Sequence, residues 1–353
     1  MSWTKLKYTR NQINKAGDVL SSPHVTLDLQ SLSMDILSNW RSSHSFPLQT
    51  FAVRLSRIAK QVDSNALVVR RLKRVPSILR KLKRDQTSKM KMSRMQDIGG
   101  CRAVLLSIKE VNSLVGKYKK SRGIKHKLAK INDYIQTPKK DGYRSIHLIY
   151  KYYSDKNNEY DGLLIEIQVR TKLQHYWATA VETVDHFTKQ AIKTNEGQKD
   201  WMDFFKLVSS AFANIEKTPT VPDTPVNEKE LREKIQLLAK KLKVVKKMNE
   251  WARIHKVIGD FERESKTKYD FYLLNLDLTT KELKITAYKK AQEELANSEY
   301  SKHEERMIKN NEDRDIVLVS AETRRELQKA YPNYFLDAKE FVNVLNEYFR
   351  IST

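Results

Sequence analysis

Apolar positions recur at three- and four-residue spacing through polar surroundings from the N-terminus to about residue 95, a pattern that predicts amphipathic helices. The rhythm then shortens. "CRAVLLS" (101–107), "AKINDYI" (129–135), "SIHLIYKYY" (145–153) and "LLIEIQVRT" (163–171) are brief runs rich in β-branched and aromatic residues, which predict strands. A helical segment, "VNSLVGKYKK" (111–120), falls between the first two, and further helices are predicted from Lys172 and from Lys199. Strands interleaved with helices in this way predict an α/β (α+β) domain with a mixed β-sheet flanked by helices over residues 1–216. The stretch "KTPTVPDTPV" (217–226) gathers three prolines and little that packs, so it is expected to be a linker. Beyond it, residues 228–261 show helical periodicity with a basic face; two strands joined at "TTKE", a helix from Ala291, a strand "DIVLVSA" and a final helical region holding "AYPNYF" complete a small α+β domain of its own over 227–353.

Charge changes the picture more than composition does. With 66 Lys and Arg against 43 Asp and Glu, the chain carries a net charge of +23, which points to polyanionic partners. No apolar run approaches the roughly 20 residues of a spanning helix, and the N-terminus has no signal-peptide core, so no membrane role is expected and a cytoplasmic location is. The single cysteine, Cys101, excludes an intramolecular disulfide and a cysteine-cluster zinc site, and reads as a small buried hydrophobe in a strand.

Four stretches carry candidate chemistry. In "RRLKRVPSILRKLKR" (70–84), Arg71, Lys73, Ser77 and Lys81 fall near one another on a helix or its N-terminal turn, which suits a triphosphate and equally a solvated basic face or nonspecific RNA contact. In "QDIGGCRAVLLS", Asp97 precedes a strand on which Arg102 lies, and two glycines let backbone approach a ligand; taken singly, such an aspartate is more often a turn former. Alternation along "LLIEIQVRT" puts Glu166, Gln168 and Arg170 on one face, either as an ordinary polar face or with Glu166 joining Asp97 to hold Mg²⁺. In "TPKKDGYRSIHL", Lys139, Tyr143, Arg144 and His147 suit a nucleotide site, with Tyr143 either stacking on a base or plugging the sheet edge.

Their order and spacing together resemble the RelA/SpoT pyrophosphokinase family, through "RLKRVPSILRKLKR", "DIGGCR", "DYIQTPKKDGYRSIHL" and "EIQVRT" followed by "HYWATAVE", over residues from about 50 to 215. The resemblance implies a nucleotidyltransferase-like fold and a transferase that moves the β,γ-pyrophosphate of ATP to a 3′-hydroxyl with Mg²⁺. It implies that Arg71 and Arg102 sandwich adenine; Lys73, Ser77 and Lys81 hold phosphates; Asp97 and Glu166 are the catalytic, metal-binding carboxylates, Glu166 also taking the proton of the attacking hydroxyl. Tyr143 would stack on the acceptor base, Lys139, Arg144 and His147 would line the acceptor side, and Gln168 and Arg170 would support it. Trp177 is followed by Ala-Thr-Ala-Val-Glu182, where many relatives carry Glu-His, and this departure leaves the role of Glu182 open. Without a His-Asp dipeptide, hydrolysis of its own product is not expected.

The tail bears on the acceptor. The chain is similar to the fused toxin–antitoxin members called CapRel, in which a C-terminal pseudo-zinc-finger-like domain folds back over a toxic small alarmone synthetase; here the tail has no cysteine or histidine cluster for zinc, and Tyr331 and Tyr334 match a paired-tyrosine motif expected to press on the acceptor loop. That likeness implies transfer to the 3′ CCA end of tRNA, which blocks translation, autoinhibition by residues 227–353, and release in antiphage defence by a phage protein, in known members a capsid protein. The basic stretch 236–256 exceeds what a nucleoside diphosphate needs and suits tRNA phosphates; DNA is not expected as a partner. The alternative is a (p)ppGpp synthetase acting on GDP or GTP with an unrelated C-terminal module, and a third reading is an inactive RNA-binding protein, against which the two retained carboxylates argue.

Overall fold

The fold is that of a computed structural model describing residues 3–22, 24–84, 90–120, 125–156, 158–188, 199–254, 256–259, 269–310, 312–321, 324–331, 334–335 and 338–351. Its frame is one mixed sheet. Among the described residues it has nine strands: β1 (Leu67–Leu72), β2 (Gly99–Leu105), β3 (Lys127–Asp133), β4 (Ile146–Lys151), β5 (Leu164–Thr171), β6 (Lys256–Gly259), β7 (Phe271–Asp277), β8 (Glu282–Tyr288) and β9 (Arg314–Ser320). They run in the order β3-β4-β5-β2-β1-β9-β7-β8-β6. Pairing is parallel for β2 with β5 and β6 with β8, and antiparallel at the other contacts. The mixed α/β architecture expected from the alternation is therefore present.

Helices α1 (Arg10–Ser21), α2 (Leu27–Ser43), α3 (Ser45–Val62), α4 (Val75–Arg84) and α5 (Ile108–Lys119) close one part of the core against β2, β4 and β5. The three-to-four spacing of Leu48, Phe51, Leu55, Ile58 and Ala59 places one stripe of α3 fully inside this core. Cys101 is buried there, as a small hydrophobe in β2. A second core is built by α6 (Lys172–Thr188) and α7 (Lys199–Ile215) together with α8 (Glu228–Leu242), α9 (Val244–Ile254) and α12 (Lys339–Phe349), where Phe204, Phe205 and Phe212 stack against Phe341. The remaining helices, α10 (Glu293–Lys309) and α11 (Arg324–Ala330), cover the β7-β8-β9 part of the sheet.

Three expectations change. "LVVRRL", which falls in the part expected to be helical up to about residue 95, is strand β1, because β2 and β9 pair with it on both edges and outweigh the helical rhythm of its basic residues; the helix starts only at Val75. "KVIG", read as the end of a long basic helix, is β6, since its backbone is taken up by β8, while His255, Asp260 and Phe261 of that stretch lie outside the described residues. The proline-rich segment is not a loose spacer: Val221 is buried and bonded through its N–H to Ser210, and Pro219 accepts from Arg144. Residues beyond it continue the first sheet through β9 and share the second core, while keeping a cluster of their own around Phe271, Tyr288 and Tyr300.

Gly142 turns the loop between β3 and β4 with φ at 91°, and a Cβ there would stand 3.0 Å from both Ser209 and Trp177 of α7 and α6. Gly142→Ala is expected to lower stability by about 1–3 kcal/mol. A urea midpoint equal to the parent's would contradict this.

Candidate active site

The site is written in strand register. β1, β2, β5 and β4 stand side by side, and Arg71, Gly100, Glu166 and Ile149 are aligned across them in one row, with Val69, Arg102, Gln168 and His147 in the next. Alternation turns the side chains of both rows to one face of the sheet. Gly100 leaves the middle of the first row bare, for a Cβ there would meet nothing closer than the Arg71 carbonyl at 4.0 Å. Over this floor lies a cavity of about 120 Å³ lined by Arg71, Lys73, Ser77, Asp97, Arg102 and Glu166 among others. Of the donor-side and carboxylate residues expected from the sequence, all but Lys81 line it, and Lys81 reaches it through Asp97. Their origin differs from the expectation, however: Arg71 comes from β1, Lys73 from the turn after it, and Ser77 and Lys81 from consecutive turns of α4.

Charges in the cavity are paired. Lys73 Nζ lies 2.7 Å from Asp97 Oδ2 and Lys81 Nζ 3.2 Å from Oδ1. Burial alone would raise the Asp97 carboxyl, but the two ammonium groups outweigh it and hold it at about 2. Glu166 accepts from His147 Nδ1 at 2.9 Å and from Gln168 Nε2 at 2.7 Å; burial again acts upward, and the His147 contact brings the carboxyl below its ordinary value. Gln168 in turn accepts from Arg102 Nε at 3.1 Å. Both carboxylates are therefore ionised acceptors at the bottom of a cationic cleft. Two carboxylates with room for phosphate oxygens and water fit a hard cation such as Mg²⁺, which needs no dedicated protein cage; among the described residues no group of three or more His, Cys, Asp and Glu converges.

The acceptor-side residues separate into two sets. Tyr143 Oη sits 2.9 Å from His147 Nε2, and Lys139 Nζ lies 4.4 Å over the ring of Tyr134 and 5.0 Å over that of Tyr143. Burial raises the Tyr143 phenol above its ordinary value. Arg144 departs from its expected acceptor-side role. It is buried and donates to Ser209 Oγ, to the Ile135 carbonyl, to Thr218 Oγ1 and to the Pro219 carbonyl, so it ties the loop to α7 and the proline-rich segment and positions Tyr143 from behind. Arg170 is also buried, and donates to His175 Nδ1.

Tyr331 and Tyr334 lie elsewhere than expected. They meet β1 and its following turn on the donor side, while Tyr143 is covered by Tyr134, Lys139 and His147. Tyr331 lines the cavity and its hydroxyl donates to the Arg70 carbonyl at 3.3 Å. Tyr334 is fully buried, donating to Asp315 Oδ1 at 2.9 Å and accepting from Arg74 Nη1 at 3.2 Å. Pro332 and Asn333 between them lie outside the described residues. The sequence reading missed the ion pairs that anchor this arrangement: Arg74 with Asp315, and Arg41 Nη1 with Glu304 Oε2 at 3.7 Å, Glu304 also accepting from the Val75 N–H at 2.9 Å. Their partners are more than 200 residues apart, and only a buried-charge argument made with the fold in hand finds them.

The family described as "Region found in RelA / SpoT proteins" matches residues 70–190. The chain is 29% identical to the GTP pyrophosphokinase YwaC of Bacillus subtilis (strain 168), over 43% of this chain and 80% of that protein. It is 31% identical to the GTP pyrophosphokinase YjbM of the same organism, over 34% of this chain and 56% of that one. Among solved structures, small alarmone synthetase 2 from Bacillus subtilis aligns with a TM-score of 0.42 and 25% identity, over 51% of this chain and 94% of that one. Small alarmone synthetase 1 from the same organism, bound to its product pppGpp, aligns with a TM-score of 0.43 and 24% identity, over 49% and 89%. The matched residues 70–190 contain Arg71, Arg102 and both carboxylates of the cavity, and pyrophosphokinase activity is what this region and the names of the relatives support.

Proposed function

We propose that this enzyme transfers the β,γ-pyrophosphate of ATP to the 3′-hydroxyl of GDP or GTP, and that Tyr331 and the residues around it hold the transfer in check. The observation that carries the reading is the register that gathers Arg71, Lys73, Lys81, Asp97, Arg102 and Glu166 around one cavity in a chain whose relatives are named GTP pyrophosphokinases. Phosphoryl-group transfer asks a protein mainly for positioning and charge neutralisation. Arg71 and Arg102 present flat guanidinium faces for adenine, and Lys73, Ser77 and Lys81 receive phosphate oxygens. Asp97 and Glu166 would hold Mg²⁺, which when bound screens the negative charge of the phosphates. Glu166, ionised and braced by His147 and Gln168, accepts the proton of the attacking hydroxyl, and Tyr143 offers its ring to the acceptor base. With Tyr331 in place the cavity is below the roughly 300–1,000 Å³ of ligand sites.

A second reading keeps the same chemistry and takes the 3′ CCA end of tRNA as acceptor, with a phage protein as the releasing partner. It is favoured by exposed Lys240, Lys241, Lys243 and Lys246 along α8 and α9 and by the net charge of +23, more than a nucleoside diphosphate requires.

Incubation of the full chain and of Tyr331→Ala with γ-labelled ATP, Mg²⁺ and either GDP or bulk tRNA separates the readings. Label in the guanosine nucleotide is expected, and label in tRNA alone would move the acceptor to the second reading; transfer to neither overturns both. Tyr331→Ala is expected to raise the rate at least about tenfold by removing an occupant that binds only the closed form; an unchanged rate would mean that the tyrosine is a packing residue. Asp97→Asn and Glu166→Gln, assayed in the Tyr331→Ala chain, should each lower turnover by roughly 10²-fold or more. Retained turnover in either would remove that residue from the chemistry.

A further inference from the structure

One buried histidine outside the carboxylate and lysine cluster joins the site to the tail. His175 lies in the opening turn of α6, 3% exposed, and both ring nitrogens are engaged. Nδ1 lies 2.5 Å from Arg170 Nη2, and Nε2 lies 2.7 Å from the backbone carbonyl oxygen of Lys329 in α11. A guanidinium offers only donors and a carbonyl only an acceptor. Nδ1 must therefore accept from Arg170, and Nε2 must carry the proton. An imidazolium would aim N–H at N–H, so the geometry admits one neutral tautomer. Burial, followed by the charges of Arg170 and Arg102, acts in the same direction and keeps the ring well below its ordinary pKa.

Arg170 is the reason this matters. It follows Glu166 and Gln168 on the same face of β5, is itself 3% exposed, and feels the charges of Arg102 and Arg71 against that of Glu182. Its Nε–H is buried without a hydrogen-bond partner among the described residues. A buried guanidinium that shares its surroundings with two others and one carboxylate, and leaves one donor unused, has capacity for an anionic ligand, and its orientation rests on the bond to His175.

We propose that His175 is a positioning residue that fixes the Arg170 guanidinium on the acceptor side through Nδ1 and couples that position to the tail through the Lys329 carbonyl at Nε2. The proposal rests on the pyrophosphokinase reading of the cavity. When the tail moves, Nε2–H loses its acceptor, the Arg170 donor alone then holds the ring in that tautomer and orientation, and the guanidinium is fixed less firmly. Docking of the tail is thus transmitted to an arginine the tail does not touch.

The test uses the full chain. In ¹⁵N-histidine NMR between pH 6 and 8, the resonance that disappears in His175→Gln is expected to report a neutral ring protonated at Nε2 across the range. A ring protonated at Nδ1, or an imidazolium at pH 7, overturns the proposal. Substitution then separates the two ends: His175→Gln retains a donor for Lys329 but no acceptor for Arg170, and His175→Asn the reverse. His175→Gln is expected to raise KM for the guanosine acceptor roughly tenfold while KM for ATP stays near the parent value, with His175→Asn recovering most of the loss. Equal effects of both substitutions, or equal shifts in both KM values, would make His175 a packing residue. If no form transfers pyrophosphate even in the Tyr331→Ala background, the pyrophosphokinase reading fails, while the tautomer still decides the assignment of His175.

Discussion

Gathering like charge in a half-buried cleft is the constraint on which this structure turns. Arg71, Lys73, Lys81 and Arg102 stand around one floor, and without a ligand their mutual repulsion acts against folding. Asp97 offsets part of it by taking the ammonium groups of Lys73 and Lys81 at once, and Glu166 is kept ionised by His147 and Gln168. These carboxylates are thus structural before they are chemical. A site so arranged is ready for a polyphosphate, which brings more negative charge than the two carboxylates supply.

The same constraint explains how the tail attaches. Arg74 and Arg41 flank the cavity, and each meets a buried tail carboxylate, Asp315 and Glu304. Glu304 also serves the first N–H of α4, the helix that carries Ser77 and Lys81. Tail and catalytic region therefore share charges as well as a sheet and an aromatic core. Buried pairs of this kind contribute less to net stability than to specifying one arrangement, because each leaves a costly unpaired charge if the register slips.

Much of this was legible in the sequence and some was not, for physical reasons. Strands β2 to β5 and the hairpin of β7 and β8 stood out because apolar, β-branched residues on them alternate or run together where polar segments flank them. Asp97, Glu166 and the basic stretch were readable because their chemistry is local in sequence. β1 was not, since "LVVRRL" becomes a strand only through partners some 30 and 250 residues away. Arg144 illustrates the opposite case: its motif placed it with the ligand groups, yet the carbonyl of buried Ile135 and that of Pro219 take its donors. The tyrosine pair was recognised as a unit, but its target followed from the β1–β9 pairing, which no local pattern encodes.

That pairing has one further consequence. Arg70 and Arg71 are joined to Ser320 and Val319 as neighbouring strands, so β1 is an interior strand only while β9 lies beside it. A tail that leaves uncovers, along with the pocket, a short length of unsatisfied backbone that bonds readily to any extended chain within reach. The two arginines guard that edge with positive charge, which repels copies of this basic protein and favours an acidic strand. Were the tail to leave, the one guanidinium of Arg71 would thus stand both at that edge and at the cavity.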